Sequence, residues 1–86
     1  MEIQGEGLKD MKAYVLTRFE ANADLSQAKH ALGAPGILSL DIVMGPYDSI
    51  SLIEADTLDG LANLATKIRK CPGIAESVTC PIVELK

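Results

Sequence analysis

"GILSLDIVMGPYDSISLIEAD", Gly36 to Asp56, sets two apolar, alternating runs on either side of a Gly-Pro-Tyr-Asp corner. Before the corner, Leu38, Leu40, Ile42 and Met44 alternate with Ile37, Ser39, Asp41 and Val43. After it, "SISLIEAD" resumes the same two-residue period. A period of two is the signature of a strand. A connection this short joins neighbouring strands as an antiparallel hairpin. Pro46 suits the second position of a turn, because its φ is already set. A turn needs neither a tyrosine nor an aspartate, yet one of the chain's two tyrosines, Tyr47, stands here beside Asp48. The corner is therefore also a candidate site.

Working outward, the period changes on both sides. Downstream, "DTLDGLANLATKIRK" carries Leu58, Leu61, Ala65 and Ile68 on one helical stripe, widened by Ala62 and Leu64, with Asp56 or Thr57 as the cap. Gly60 weakens that helix by about 1 kcal/mol relative to alanine. "CPG" ends it, and "IAESVTCPIVEL" reads as a last strand. Upstream, "KAYVLTRFE", Lys12 to Glu20, is a first strand with Ala13, Val15, Thr17 and Phe19 on one face. "ANADLSQAKHALG" follows as a helix capped by Asp24, with Leu25, Ala28 and Leu32 in line and Gly33 as the stop. Residues 1–11 alternate little and read as a flexible arm, leaving residues 12–86 as the folded domain.

An internal echo organises these elements. "GAPGILSLDIV" and "KCPGIAESVTC" both run helix end, Pro-Gly-Ile, strand. The chain is thus two strand–helix–strand units, βαβ followed by βαβ. Right-handed crossovers interleave them as a ferredoxin-like α+β fold. The expected sheet is antiparallel, four-stranded, in order 4-1-3-2, with both helices on one face. Pro81 has no N–H to donate, so it belongs on an edge, where this order puts the last strand.

Composition narrows the function. Eighty-six residues make one domain. One Phe, two Tyr and no Trp argue against a base-stacking surface. A net charge of −4 and a pI near 4.7 argue against a phosphate backbone as partner. The one basic cluster, Lys67 to Lys70, falls at a helix end, where it complements the helix dipole. Cys71 and Cys80 are too few for a disulfide framework and are expected as buried, reduced thiols. With the single histidine, His30, they complete no usual zinc set. No metal or other cofactor is expected. No apolar run reaches the roughly 20 residues of a membrane span, and the N-terminus lacks a signal-peptide pattern, so a cytoplasmic protein is expected.

Several strands carry apolar side chains on both faces: Leu16 and Val15, Ile42 and Val43, Leu52 and Ile53. A solvated face would be more polar. A second sheet, most simply from another copy of the chain, is expected to cover the face opposite the helices, giving a dimeric α+β barrel.

Together, "AYVLTR", "GAPGI", "VMGPYDSISLIEAD", "LANLATKIRKCPGI" and "ESVTCPIVEL" resemble the ligand-binding (RAM) domain of the leucine-responsive regulator/AsnC family, from about Lys12 to Leu85. The resemblance implies the same βαββαβ fold and dimers packed sheet to sheet, assembled into rings, commonly octamers. It also implies a small effector, typically an amino acid, in clefts between dimers. Family members usually carry a helix-turn-helix ahead of this domain. Residues 1–11 are too few for one, so the resemblance is to the stand-alone form, expected not to bind DNA itself. The site it implies comprises Gly45, Pro46, Tyr47 and Asp48 at the corner, with Ser77 and Thr79 on the last strand. Gly45 would let backbone amides approach a carboxylate, and Asp48 would meet an ammonium. Tyr47 would offer an apolar wall and a hydroxyl, and Ser77 and Thr79 small polar groups.

Two other functions compete with an effector module. One is an adaptor that co-assembles with full-length regulators without any ligand. The other is a small ferredoxin-like enzyme, disfavoured because no nucleophile–base pair or metal spacing is visible. An ACT-type regulatory domain has the same strand order and would also bind amino acids.

Overall fold

Alternation and capping produce the expected elements in the computed structural model, which describes residues 11–24, 26 and 35–83. They are β1 (Met11–Phe19), β2 (Ile37–Ile42), β3 (Ser49–Ala55), α1 (Leu58–Arg69) and β4 (Ile74–Pro81). Most of the expected first helix, residues 25 and 27–33, and residues 1–10 of the expected arm lie outside the described residues, as does His30, while Met11, the last residue of that arm, is the first of β1. At the expected helix start, Asp24 Oδ1 accepts the Ser26 backbone N–H at 2.9 Å, and the Ser26 bonds hold its carboxyl below the usual carboxylate range.

The sheet is ordered β2-β3-β1-β4, the expected 4-1-3-2 read from its other edge, and every pairing is antiparallel. β1 lies inside it, with Thr17 opposite Ser49 on β3 and opposite Ser77 on β4. β4 is an edge strand, as Pro81 requires. The Ile82 N–H reaches inward to the Lys12 carbonyl, so the proline nitrogen one residue earlier faces away from β1.

The Pro-Gly-Ile echo is an echo in the backbone too. Gly36 has φ 93° and Gly73 has φ 91°, both in the region that favours glycine. The Gly36 carbonyl accepts from Glu54 at the end of β3, and the Gly73 carbonyl from Glu20 just past β1. Each unit's exit strand is thus tied to the other unit's entry strand by the same contact.

α1 is capped by Thr57, whose hydroxyl accepts the Gly60 N–H at 3.0 Å, which decides between the two candidate caps. Its buried residues are Leu61, Leu64 and Ile68, at helical spacing. They close on Ala13, Val15, Ile53 and Ala55 to form the core. Burying a side chain of leucine or isoleucine size contributes about 1.5–3 kcal/mol. The structure corrects the expected stripe: Leu64 is central, whereas Leu58 is 59% exposed at the helix start.

The faces of the sheet depart from a simple apolar-inside pattern. On β3, Ser49, Ser51, Ile53 and Ala55 turn toward α1 and are buried, while Ile50 and Leu52 face the other way, half-buried. On β1, Thr17 joins Ala13 and Val15 inside, and its hydroxyl bonds that of Ser49. The Ser51 hydroxyl is buried with no hydrogen-bond partner among the described residues. β2 also breaks strict alternation. Its register against β3 shifts between Ile37 and Ser39, so Ile37 shares the Leu40 and Ile42 face.

Cys80 corrects the expectation of two buried thiols. Cys71 is half-buried, but Cys80 is exposed, because it lies opposite Tyr14 on the face away from α1. Both cysteines are free.

A Cβ at Gly36 would come within 2.6 Å of Leu64 Cδ1 and 3.0 Å of the Glu54 carbonyl oxygen, whereas one at Gly45 would meet nothing within 4 Å. Gly36→Ala therefore adds a clash to a left-handed backbone, which alone costs about 1–3 kcal/mol. Urea denaturation should show Gly36→Ala clearly less stable than Gly45→Ala. Equal midpoints would show that the close approach to Leu64 is unimportant.

Candidate functional site

Two groups of candidate residues must be placed, the corner Gly45–Asp48 and the pair Ser77 and Thr79. The corner is a loop rather than a tight turn. β2 ends at Ile42, and the Val43 N–H donates to the Asp48 carbonyl at 2.9 Å, closing the loop at its base. Gly45 takes φ 142°, and Gly45 and Pro46 are exposed at the tip.

Asp48 attaches the loop to β1 twice. Its backbone N–H donates to the Thr17 carbonyl at 2.8 Å, and its Oδ2 accepts the Phe19 N–H at 2.8 Å. The second bond lies two residues past the last β1–β3 pair, Thr17 opposite Ser49, where the Phe19 N–H points to the β3 side as the Thr17 carbonyl does. The carboxylate thus supplies the acceptor that the β1–β3 ladder, already ended, no longer offers. No bond to Asp48 Oδ1 is present among the described residues.

Tyr47 is held from the same strand. The Arg18 guanidinium carbon stands 5.4 Å from the centroid of the Tyr47 ring, within cation–π range. Arg18 Nε in turn pairs with Glu76 Oε1 at 3.3 Å, both side chains being half exposed. An exposed pair of this kind contributes little stability, about 0–1 kcal/mol, but it orients the guanidinium. A row Glu76–Arg18–Tyr47 therefore links β4, β1 and the loop. Sequence reading did not single out Arg18 or Glu76, since nothing local distinguishes them before the register is known.

Ser77 and Thr79 lie elsewhere. They alternate with Glu76 and Val78 along β4 and stand opposite Thr17 and Val15, on the face that α1 covers. They line a groove of about 390 Å³ between α1 and β4, together with Leu58, Ala62, Ala65 and Arg69. None of the corner residues lines that groove. One chain therefore brings Tyr47 and Asp48 together, and separately Ser77 and Thr79, without bringing the two pairs into one pocket.

Among the described residues no group of acidic, histidine or cysteine side chains could hold a metal ion. No helix there is long and apolar enough to cross a membrane.

No protein-family model matches the sequence, and no curated protein does either. Solved structures do. The crystal structure of FFRP-DM1 is 31% identical with a TM-score of 0.77, covering 85% of this chain and 99% of that one. E. coli AsnC superposes with a TM-score of 0.78 at 15% identity, over 90% of this chain and 53% of its own. A transcriptional regulator of Neisseria meningitidis, solved as a complex with L-Met, has a TM-score of 0.76 at 12% identity, over 87% and 51%. This chain spans about half the length of those two regulators, and at such identities the likeness is one of fold.

Asp48→Ala should cost about 1–3 kcal/mol, because the Phe19 N–H loses its acceptor in a part-buried place. Asp48→Asn keeps an amide oxygen there and should lose less than about 1 kcal/mol. Urea denaturation followed by circular dichroism measures both. An asparagine variant as unstable as the alanine one would mean that charge, rather than the hydrogen bond, holds the loop.

Proposed function

We infer that this chain, which belongs to the same family as FFRP-DM1 and has the Lrp/AsnC-like fold, is an amino-acid-binding and oligomerisation module that serves regulation without touching DNA. The observation that carries the reading is the fold, which the chain shares with transcriptional regulators, one of them solved with L-Met. An acidic chain, net charge −4, suits a role away from the phosphate backbone.

The sheet face that no described helix covers supports assembly. Tyr14, Leu16, Ile50, Leu52 and Val78 share the face away from α1, with Tyr14 45% and Val78 37% exposed. The buried serines lie on the opposite, helix-covered face, while Ile50 and Leu52 of β3 face outward. A second copy packed sheet to sheet would remove that set from water.

The split between corner and β4 supports a site made by two copies. Within one chain Asp48 and Tyr47 serve β1, while Ser77 and Thr79 line the α1–β4 groove. In the proposed site the corner of one copy closes over the groove of another. Asp48 Oδ1 then meets the ligand ammonium, and the hydroxyls of Ser77 and Thr79 meet its other polar atoms.

Thermal shift against the proteinogenic amino acids tests the function. A bound effector at a hundredfold excess over Kd should add about 2.7 kcal/mol of stability. No shift with any amino acid would leave the co-assembling adaptor as the better reading.

Mixing tests the shared site. Asp48→Ala and Thr79→Val should each weaken binding by at least tenfold, about 1.4 kcal/mol. In random mixed assemblies of the two, about a quarter of sites should regain full affinity, since each site draws one part from each copy. A site built within one chain would recover nothing.

Light scattering tests the sheet-to-sheet contact. Wild type should exceed the 9.1 kDa of a single chain, and Leu52→Glu should fall toward it. A wild-type monomer would remove the contact from the account.

A further inference from the structure

The basic cluster at the end of α1 is not used up by the helix dipole. Lys67, Arg69 and Lys70 all stand there, but only Arg69 lines the groove between α1 and β4. We propose that this groove selects an α-amino acid with an uncharged, apolar side chain, with Arg69 holding its carboxylate. The inference rests on the amino-acid reading above and specifies its ligand.

The topology orients the groove. β3 and β4 are both antiparallel to β1 and so parallel to each other, and α1 carries the chain back between them. α1 therefore runs antiparallel to β4, which sets Arg69 toward the Ser77 end and Leu58 toward the Pro81 end. At the Ser77 end, a planar guanidinium and a hydroxyl make a carboxylate-binding pair. Toward the other end, Ala62 and Ala65 are short enough to leave room, and the exposed Leu58 forms an apolar wall.

Arg69 is the sole charged side chain among the described residues of the groove wall, and no ion pair to it is present among the described residues. A carboxylate ligand would supply the missing partner. A lysine or arginine ligand would bring its side-chain cation to a wall without an acid, and a glutamate would bring its second carboxylate to a wall without a second cation. Either would shed water around a charge with no compensation. The volume, about 390 Å³, lies in the range of roughly 300–1,000 Å³ usual for small-molecule sites.

The test is calorimetric titration of the full chain with L-leucine, L-methionine, L-lysine, L-glutamate, isocaproate and isopentylamine. Isocaproate keeps the carboxylate of leucine without its ammonium, and isopentylamine keeps the amine without the carboxylate. Leucine or methionine should bind at least tenfold tighter than lysine or glutamate. Isocaproate should still bind measurably, and isopentylamine should not. Arg69→Gln should weaken leucine and isocaproate by at least tenfold, and Arg69→Lys should recover part of the loss. Arg69 is exposed, so both variants should keep the wild-type circular dichroism and urea midpoint. If a charged amino acid binds best, or if Arg69→Gln binds as wild type while Asp48→Asn does not, the groove assignment falls and the amino-acid module stands. If no amino acid binds at millimolar concentration, the module and this inference fall together.

Discussion

β1 is the strand against which the molecule is registered. It bonds β3 on one side and β4 on the other, and it also holds the loop between β2 and β3. The bond from the Phe19 N–H to Asp48 Oδ2 matters most, because it forms just past the end of the β1–β3 ladder. A strand that runs on past its partner leaves a backbone donor without a ladder acceptor. The Asp48 carboxylate satisfies it, and the loop is fixed as a consequence. Structure and candidate function thus share one side chain, with one oxygen committed to the backbone.

The same strand sorts the sheet into two faces. Thr17, Ser49 and Ser51 stand beneath the helix-covered side, while Leu16, Ile50 and Leu52 face the other way. The cost of small hydroxyls inside is limited by the Thr17–Ser49 bond. The apolar outer set is the surface that the proposed second copy would cover, and a small domain has little other area with which to offset its exposure.

Position along β1 also separates the polar groups that a ligand would need. Arg18 points to the outer face and links Glu76 with Tyr47, while its neighbour Thr17 points inward in the row with Ser77. Adjacent residues of a strand face opposite sides, so the corner and the β4 hydroxyls diverge within one chain. In the proposed site a second copy brings them to one ligand. The groove beside β4 supplies what a corner of backbone amides and one carboxylate lacks, a length of apolar wall.

The sequence by itself determined the elements and their order. The two Pro-Gly-Ile exits, the change of period from 2 to 3.6, Pro81 on its edge and the capping position at Asp56–Thr57 are local signals, carried by residues close together in the chain. They were enough to set a β2-β3-β1-β4 sheet, because few topologies join two such units. The corner and the Ser77–Thr79 pair were legible as candidate residues, through local composition and resemblance to a family. Only the tertiary structure decided which half of each alternating strand faces α1, since period two is symmetric between faces. It alone showed Leu64 inside and Leu58 outside, the bulge that moves Ile37 onto the Leu40 face, and the exposure of Cys80. It also made Asp48 a partner of Phe19, Arg18 a partner of Tyr47 and Glu76, and Arg69 part of a groove. Those contacts join residues from separate elements, and their partners are set by strand register and helix placement, which no local pattern encodes.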